Sequence, residues 1–327
     1  LGQFATPYIL AREITKAALG YLPSSQQKIR FLEPSLGSGA FFSALISEIP
    51  QERLGSAVGY EIDTRFVKAS TALWTEFGLN VREGDFTQGE PPSQPELATL
   101  ILANPPYVRH HHLGQKKKLE LQARIQSAFG RKASGLAGLY IYFMLLADRW
   151  MADDGIAAWL IPSEWADVNY GDILRDYLTS RVTLLRIHRF DAADIQFGDA
   201  LVSSSVVFLR KATPDPAGHC ELTWGPLLNP NSRMVSLSSL RSADKWNSFF
   251  SANRPKDREQ PPVPLSTIFE VRRGIATGSN DFFIRPLAEF ERMGIGREFL
   301  RPILPSAKHL KSEVICRRTD GYPDIEV

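Results

Sequence analysis

The tetrapeptide Asn104-Pro105-Pro106-Tyr107 carries the residue types in this chain best suited to chemistry on a flat, conjugated amine. The lone pair of an amino group on an aromatic ring is delocalised into the ring, which makes it a poor nucleophile. Two acceptors placed on its hydrogens draw the nitrogen towards tetrahedral geometry and aim the lone pair at an electrophile. The Asn104 side-chain oxygen and the Pro105 carbonyl can be that pair, while Pro105 and Pro106 hold the backbone rigid enough to keep a near-attack geometry. Tyr107 adds a face on which such a ring can stack. Asn-Pro and Pro-Pro also mark ordinary turns. A turn explains the prolines, but neither the tyrosine nor the apolar run Leu100-Ile101-Leu102-Ala103 just before it.

An electrophile needs a holder, and three acids lie upstream in order. Glu33 opens the segment Glu33-Pro34-Ser35-Leu36-Gly37-Ser38-Gly39, where Gly37 and Gly39 permit a tight turn close to a ligand. The last glycine of a dinucleotide fingerprint G-x-G-x-x-G is replaced by Phe42. A phosphate cradle is therefore disfavoured, and Glu33 would repel phosphate further. Glu33 instead suits a ligand with positive charge, such as the sulfonium and ammonium of S-adenosylmethionine. Glu61 can accept both hydroxyls of a ribose, and Asp85 can accept from the adenine amino group of the same cofactor. One carboxylate at a strand end is more often a helix N-cap; three in order, one per strand, read as a site. A sulfonium is already an activated leaving group, so no general base must act before transfer, and no metal is expected.

The elements that must position these residues alternate between strand and helix, which reads as α/β with a largely parallel sheet. Thr6-Pro7 opens a helical pattern through Ile9, Leu10, Ile14 and Ala18. Strands are expected at Ile29–Leu32, Ala57–Tyr60, Leu79–Arg82, Leu100–Ala103, Ile156–Ile161, Val182–Phe190 and Leu201–Leu209. Helices are expected over Ala40–Ile49, from about Asp63 to Phe77, over Leu139–Met151 and near Tyr170–Leu178. In an open sheet of this kind ligands sit beyond the carboxyl ends of the strands, where Glu33, Glu61, Asp85 and Asn104 fall. The proline-rich, charged stretch Ser251–Pro264 reads as a linker. The expected organisation is a catalytic domain over 1–222, a connecting segment and linker over 223–264, and the start of a further domain, incomplete, over 265–327.

The chain has 327 residues, 43% hydrophobic and 23% charged, as in an ordinary globular protein. No apolar run approaches the ~20 residues needed to span a bilayer, and no basic-then-apolar leader opens the chain. Cys220 and Cys316 lie far apart without metal-ligand spacing and read as reduced thiols. The expected compartment is the cytoplasm, with no membrane partner. A net charge of +2 says little about nucleic acid, but its distribution says more. Between Val108 and Lys132 stand Arg109, Lys116, Lys117, Lys118, Arg124, Arg131 and Lys132 against Glu120, with His110, His111 and His112 among them. Such a run reads either as a solvated helix face or as a surface for phosphates. Arg109 and the three consecutive lysines are its candidate DNA contacts.

With these residues in hand, the chain resembles the gamma-class (Taq-type) adenine DNA methyltransferases, a group with many type II restriction-modification methylases. The likeness runs in order through Thr6-Pro7, Glu33 to Phe42, Gly59-Tyr60-Glu61-Ile62-Asp63, Gly84-Asp85-Phe86, Asn104 to Tyr107, and Phe197-Gly198-Asp199-Ala200-Leu201-Val202-Ser203-Ser204. It implies a Rossmann-like S-adenosylmethionine-dependent fold with a mixed seven-stranded sheet, the last strand antiparallel, and a partial C-terminal DNA-recognition domain. The cofactor residues it implies are Thr6, Pro7, Glu33, Ser35, Gly37, Gly39, Glu61, Ile62, Asp85 and Phe86. It implies that Phe197 packs on a flipped adenine opposite Tyr107. Val271-Arg272-Arg273-Gly274 resembles the entry to the recognition domain, which adds Arg272 and Arg273 to the DNA contacts. The implied activity is site-specific N6-adenine methylation of double-stranded DNA, with a restriction endonuclease or fused nuclease outside this chain as a partner. The same loop occurs in methyltransferases acting on protein glutamine or ribosomal RNA guanine. N4-cytosine enzymes carry Ser where Asn104 stands. A reading of another class is a non-catalytic DNA-binding or specificity subunit.

Overall fold

Short apolar runs that end in an acid, a glycine or Asn104 become the strands of one sheet. In a computed structural model of the chain, the described residues are 5–23, 28–190, 203–250, 267–270, 278–301, 303 and 319. The strands are β1 (Ile29–Glu33), β2 (Leu54–Glu61), β3 (Leu79–Glu83), β4 (Ala98–Ala103), β5 (Met151–Pro162), β6 (Thr183–Arg189), β7 (Ser204–Arg210), β8 (His219–Trp224) and β9 (Asn231–Ser236). Their order across the sheet is β3-β2-β1-β4-β5-β7-β6-β8-β9. The first five pair in parallel, and β7 runs antiparallel to both β5 and β6. The mixed sheet implied by the resemblance is present, but it has nine strands among the described residues, not seven. β8 pairs in parallel with β6, and β9 returns antiparallel against β8. Both lie in or run into the segment read from sequence as a connection, and the fully buried Cys220 and Leu222 show why they join the core.

The helices are α1 (Tyr8–Leu19), α2 (Ala40–Glu48), α3 (Thr64–Trp74), α4 (Gln115–Phe129), α5 (Leu139–Ala147), α6 (Asp172–Ser180) and α7 (Leu237–Ser242). Every residue of β4 is buried, as expected of a parallel strand covered on both faces. Its side chains alternate between two apolar clusters. Ile101 and Ala103 join α4, α5 and α6 on one side, and Leu100 and Leu102 join α1 and α2 on the other. Helix α5 is buried from Tyr140 to Ala147, consistent with apolar residues all round it. It ends four residues earlier than its pattern suggests, because Trp150 turns away to meet Tyr60 and Phe86 at 5.5 and 5.0 Å between ring centroids.

The chain divides into two compact units, 1–254 and 255–327. In the second, the described residues form two short helices, Asn280–Phe283 and Leu287–Arg292. Phe197, Arg272 and Arg273, and the linker read over Ser251–Pro264, lie outside the described residues. Among the described residues no helix is long and apolar enough to cross a membrane.

Candidate methyl-donor and catalytic site

The sheet order reverses between β1 and β4, since β1 leads outwards to β2 on one side and β4 continues on the other. That is where an open α/β sheet leaves a crevice. A cavity of about 380 Å³ lies there, walled by Thr6, Glu33, Ser35, Gly37, Glu61, Ile62, Asp85, Phe86, Asn104 and Pro106 among others. It brings together most of the candidate cofactor residues and two of the catalytic loop.

The three strand ends are stitched to one another. Leu36 N donates to Tyr60 O and Gly84 N to Glu61 O, each at 2.8 Å. Glu61 Oε2 accepts from Gly37 N at 2.8 Å, and its Oε1 accepts from Ile62 N at 2.9 Å and Asp63 N at 2.8 Å. A carboxylate has about four acceptor positions. Three of these are occupied by backbone donors, two on Oε1 and one on Oε2. Helix α3 clamps the glycine turn from the side: Ser70 Oγ donates to Gly37 O at 2.7 Å and Trp74 Nε1 to Ser38 O at 2.8 Å. Gly39 has φ +81°, and a Cβ there would stand 2.4 Å from Trp74 Nε1. No other residue fits that turn without displacing the indole.

Glu33 is buried at the end of β1, with Oε2 accepting from Phe42 N at 3.2 Å. Burial pushes its carboxyl well above the usual carboxylate range, and the nearby Glu61 pushes it the same way, against the backbone donors of Phe42 and Phe41. Asp85 caps the short turn Phe86–Gln88 through Thr87 N at 2.9 Å, and Thr87 Oγ1 donates to it at 2.6 Å. Burial pushes the Asp85 carboxyl up. The ion pair with Lys117 and the Thr87 donors more than reverse this, and Asp85 sits below the usual range.

Asn104 follows β4, and Ser35 Oγ donates to its backbone carbonyl at 2.9 Å. Its side-chain nitrogen donates to Thr6 Oγ1 at 3.1 Å. Thr6 and Ser35 therefore join the entry segment and the glycine turn to the catalytic loop. Pro7 caps α1 and is not in the cavity wall; Pro105 is buried, and Tyr107 is half-buried against the α1–α2 side of the core. Burial pushes the Tyr107 phenol far above its ordinary value, so it is a neutral hydroxyl.

Phe66 and Phe143 also face the cavity and were missed in the sequence. Phe66 was legible as the residue one helical turn beyond Ile62; Phe143 is hidden in a helix that is apolar throughout. The basic run divides. Lys117 pairs with Asp85, Arg124 with Glu90, and Arg131 with Asp172, while Arg109, Lys116 and Lys132 are exposed. Lys117 turns towards Asp85 from a position one helical turn before the buried Leu121.

The described wall of the cavity holds Glu33, Glu61 and Asp85 and no Lys, Arg or His. Such a wall offers acceptors rather than cations and suits a ligand with ammonium, hydroxyl and amino donors. S-adenosylmethionine fits that donor set through its ammonium, sulfonium, ribose and adenine groups.

Comparisons with known proteins agree with this geometry. Residues 94–196 match the family described as Eco57I restriction-modification methylase. The chain is 26% identical over 331 residues to the type II methyltransferase M.AccI of Acinetobacter calcoaceticus, covering 97% of this chain and 59% of that protein. It is also 26% identical to M.XamI of Xanthomonas campestris pv. amaranthicola, covering 95% of this chain and 60% of that one. The chain thus spans about six-tenths of the length of these relatives. Among solved structures, a Listeria monocytogenes protein assigned to the class I S-adenosylmethionine-dependent methyltransferases superposes with a TM-score of 0.54 at 11% identity, over 68% of this chain and 67% of that one. The fold is therefore that of the class I S-adenosylmethionine-dependent methyltransferases, and over nearly its whole length the chain is similar to type II methyltransferases.

Proposed function

We propose that this chain is the methyl-transferring part of a site-specific DNA methyltransferase of a restriction-modification system, acting on the N6 amino group of adenine. The observation that carries this is the junction of Asn104 with the acid-walled cavity through Thr6 and Ser35. Bound S-adenosylmethionine supplies a methyl group on a sulfonium. The chain's own residues do the rest. Glu33 faces the cationic end, Glu61 takes a ribose hydroxyl, and Asp85 takes the purine amino group. Thr6 holds the Asn104 amide nitrogen, which turns the carbonyl end of that side chain towards the target amine. The Pro105 carbonyl is the second acceptor, and Tyr107 with Phe197 holds an adenine extruded from the duplex.

Double-stranded DNA is the proposed partner, met by the exposed Arg109 and Lys116 and the half-buried Lys118, with Arg272 and Arg273 further along the chain. A restriction endonuclease, separate or fused outside this chain, is the proposed companion, and the cytoplasm the proposed compartment. Adenine is preferred to cytosine because Asn stands at position 104. Incubation of the protein with tritiated S-adenosylmethionine and, in parallel, duplex DNA, ribosomal RNA and protein tests this reading. Label is expected in DNA only; label confined to RNA or protein overturns it.

A further inference from the structure

Lys117 belongs by sequence to a run of three lysines, yet its side chain lies on the inward stripe of α4 with Leu121 and Ile125. Its ammonium pairs with Asp85 Oδ2 and donates to Thr87 Oγ1 at 3.0 Å. Thr87 N and Thr87 Oγ1 both donate to Asp85 Oδ1. Of about four acceptor positions on this carboxylate, the two on Oδ1 are filled and Lys117 fills one on Oδ2. One remains, on the oxygen that Lys117 orients, and Asp85 forms part of the cavity wall beside Ile62, Phe66 and Phe86. A single directed acceptor among apolar and aromatic side chains matches one amino group on a flat ring.

We propose that Lys117 is a positioning residue of the methyl-donor site, which aims the last acceptor position of Asp85 at the purine amino group of the donor. This rests on the donor reading above and moves Lys117 from the DNA surface to the cofactor. The neighbouring Lys116 is exposed and serves as the internal control.

The test compares two ligands by calorimetry: S-adenosylhomocysteine, and its analogue with hydrogen in place of the purine amino group. Lys117→Met is expected to bind S-adenosylhomocysteine about ten-fold more weakly than wild type, from misdirecting a hydrogen bond to a charged group. For the deamino analogue the loss should stay under about two-fold, because that contact is already absent. Lys116→Met should leave both affinities unchanged, and Lys117→Arg should restore most of the discrimination. Lys117→Gln gives the same readout if the Met variant fails to fold. Equal loss for both ligands, or no loss for either, overturns the assignment. Failure of wild-type protein to bind either ligand overturns the donor reading itself, and this inference with it.

Discussion

At the scale of single residues, the proposed reaction divides between Asn104 on the target side and Glu33 on the donor side. Asn104 is anchored through its nitrogen to Thr6 and through its backbone carbonyl to Ser35. Asn104→Ala should therefore abolish methyl transfer while leaving S-adenosylmethionine affinity within a few-fold of wild type. Calorimetry beside a transfer assay checks this, and an equal loss of donor binding would place Asn104 in the donor pocket. Glu33 makes a pH prediction. Its raised carboxyl means that, between the ordinary carboxylate range and the raised value, the folded protein holds a proton which the unfolded chain releases. Glu33's contribution to stability is then full below the unfolded value and is lost as pH rises through the folded one. A cationic donor beside it favours the ionised form, so binding should expel that proton and tighten as pH rises over the same window. Calorimetry in buffers of different ionisation heat reads the proton count directly. Glu33→Gln should remove the release; a release unchanged in that variant would assign the proton elsewhere.

At the scale of elements, the glycine turn after β1 is held by α3 as much as by its own sequence. Gly39→Ala puts a side chain at positive φ and against the Trp74 indole, whose hydrogen bond to Ser38 fastens the turn. It should destabilise the protein by about 2 kcal/mol or more, seen as a lower melting temperature, and weaken donor binding; a melting temperature equal to wild type would contradict the clamp. Such packing explains what the sequence could and could not convey. Glu33, Glu61 and Asn104 stand at or just past the ends of buried strand segments and Asp85 two residues past β3, and parallel strands align those ends at one edge, so the four were legible as a group. The reach of Lys117 across to Asp85, and the donation of Gly37 N to Glu61, depend on contacts between residues distant in sequence. β8 and β9 were missed for a similar reason: β8 is buried by pairing with β6, β9 is placed by pairing with β8, and the pattern of β9, exposed over its first four residues, carries little periodicity.

At the scale of the whole molecule, three cations of the basic run, Lys117, Arg124 and Arg131, are paired with acids, so the proposed DNA surface has less net charge than the run's formal count. Neutralising Arg109 and Lys116 should weaken binding to every duplex and lower the slope of log affinity against log salt by ~0.9 for each true contact. Adding Lys117→Met should change that slope no further; a third equal decrement would return Lys117 to the DNA surface. The central claim, transfer to the adenine amino group, is tested most directly on the product. DNA methylated by the full-length protein with tritiated S-adenosylmethionine is digested to nucleosides and separated by chromatography. The account predicts radioactivity that co-elutes with N6-methyldeoxyadenosine and vanishes with Asn104→Ala. Label in N4-methyldeoxycytidine or 5-methyldeoxycytidine, or label at adenine that persists without Asn104, would contradict it.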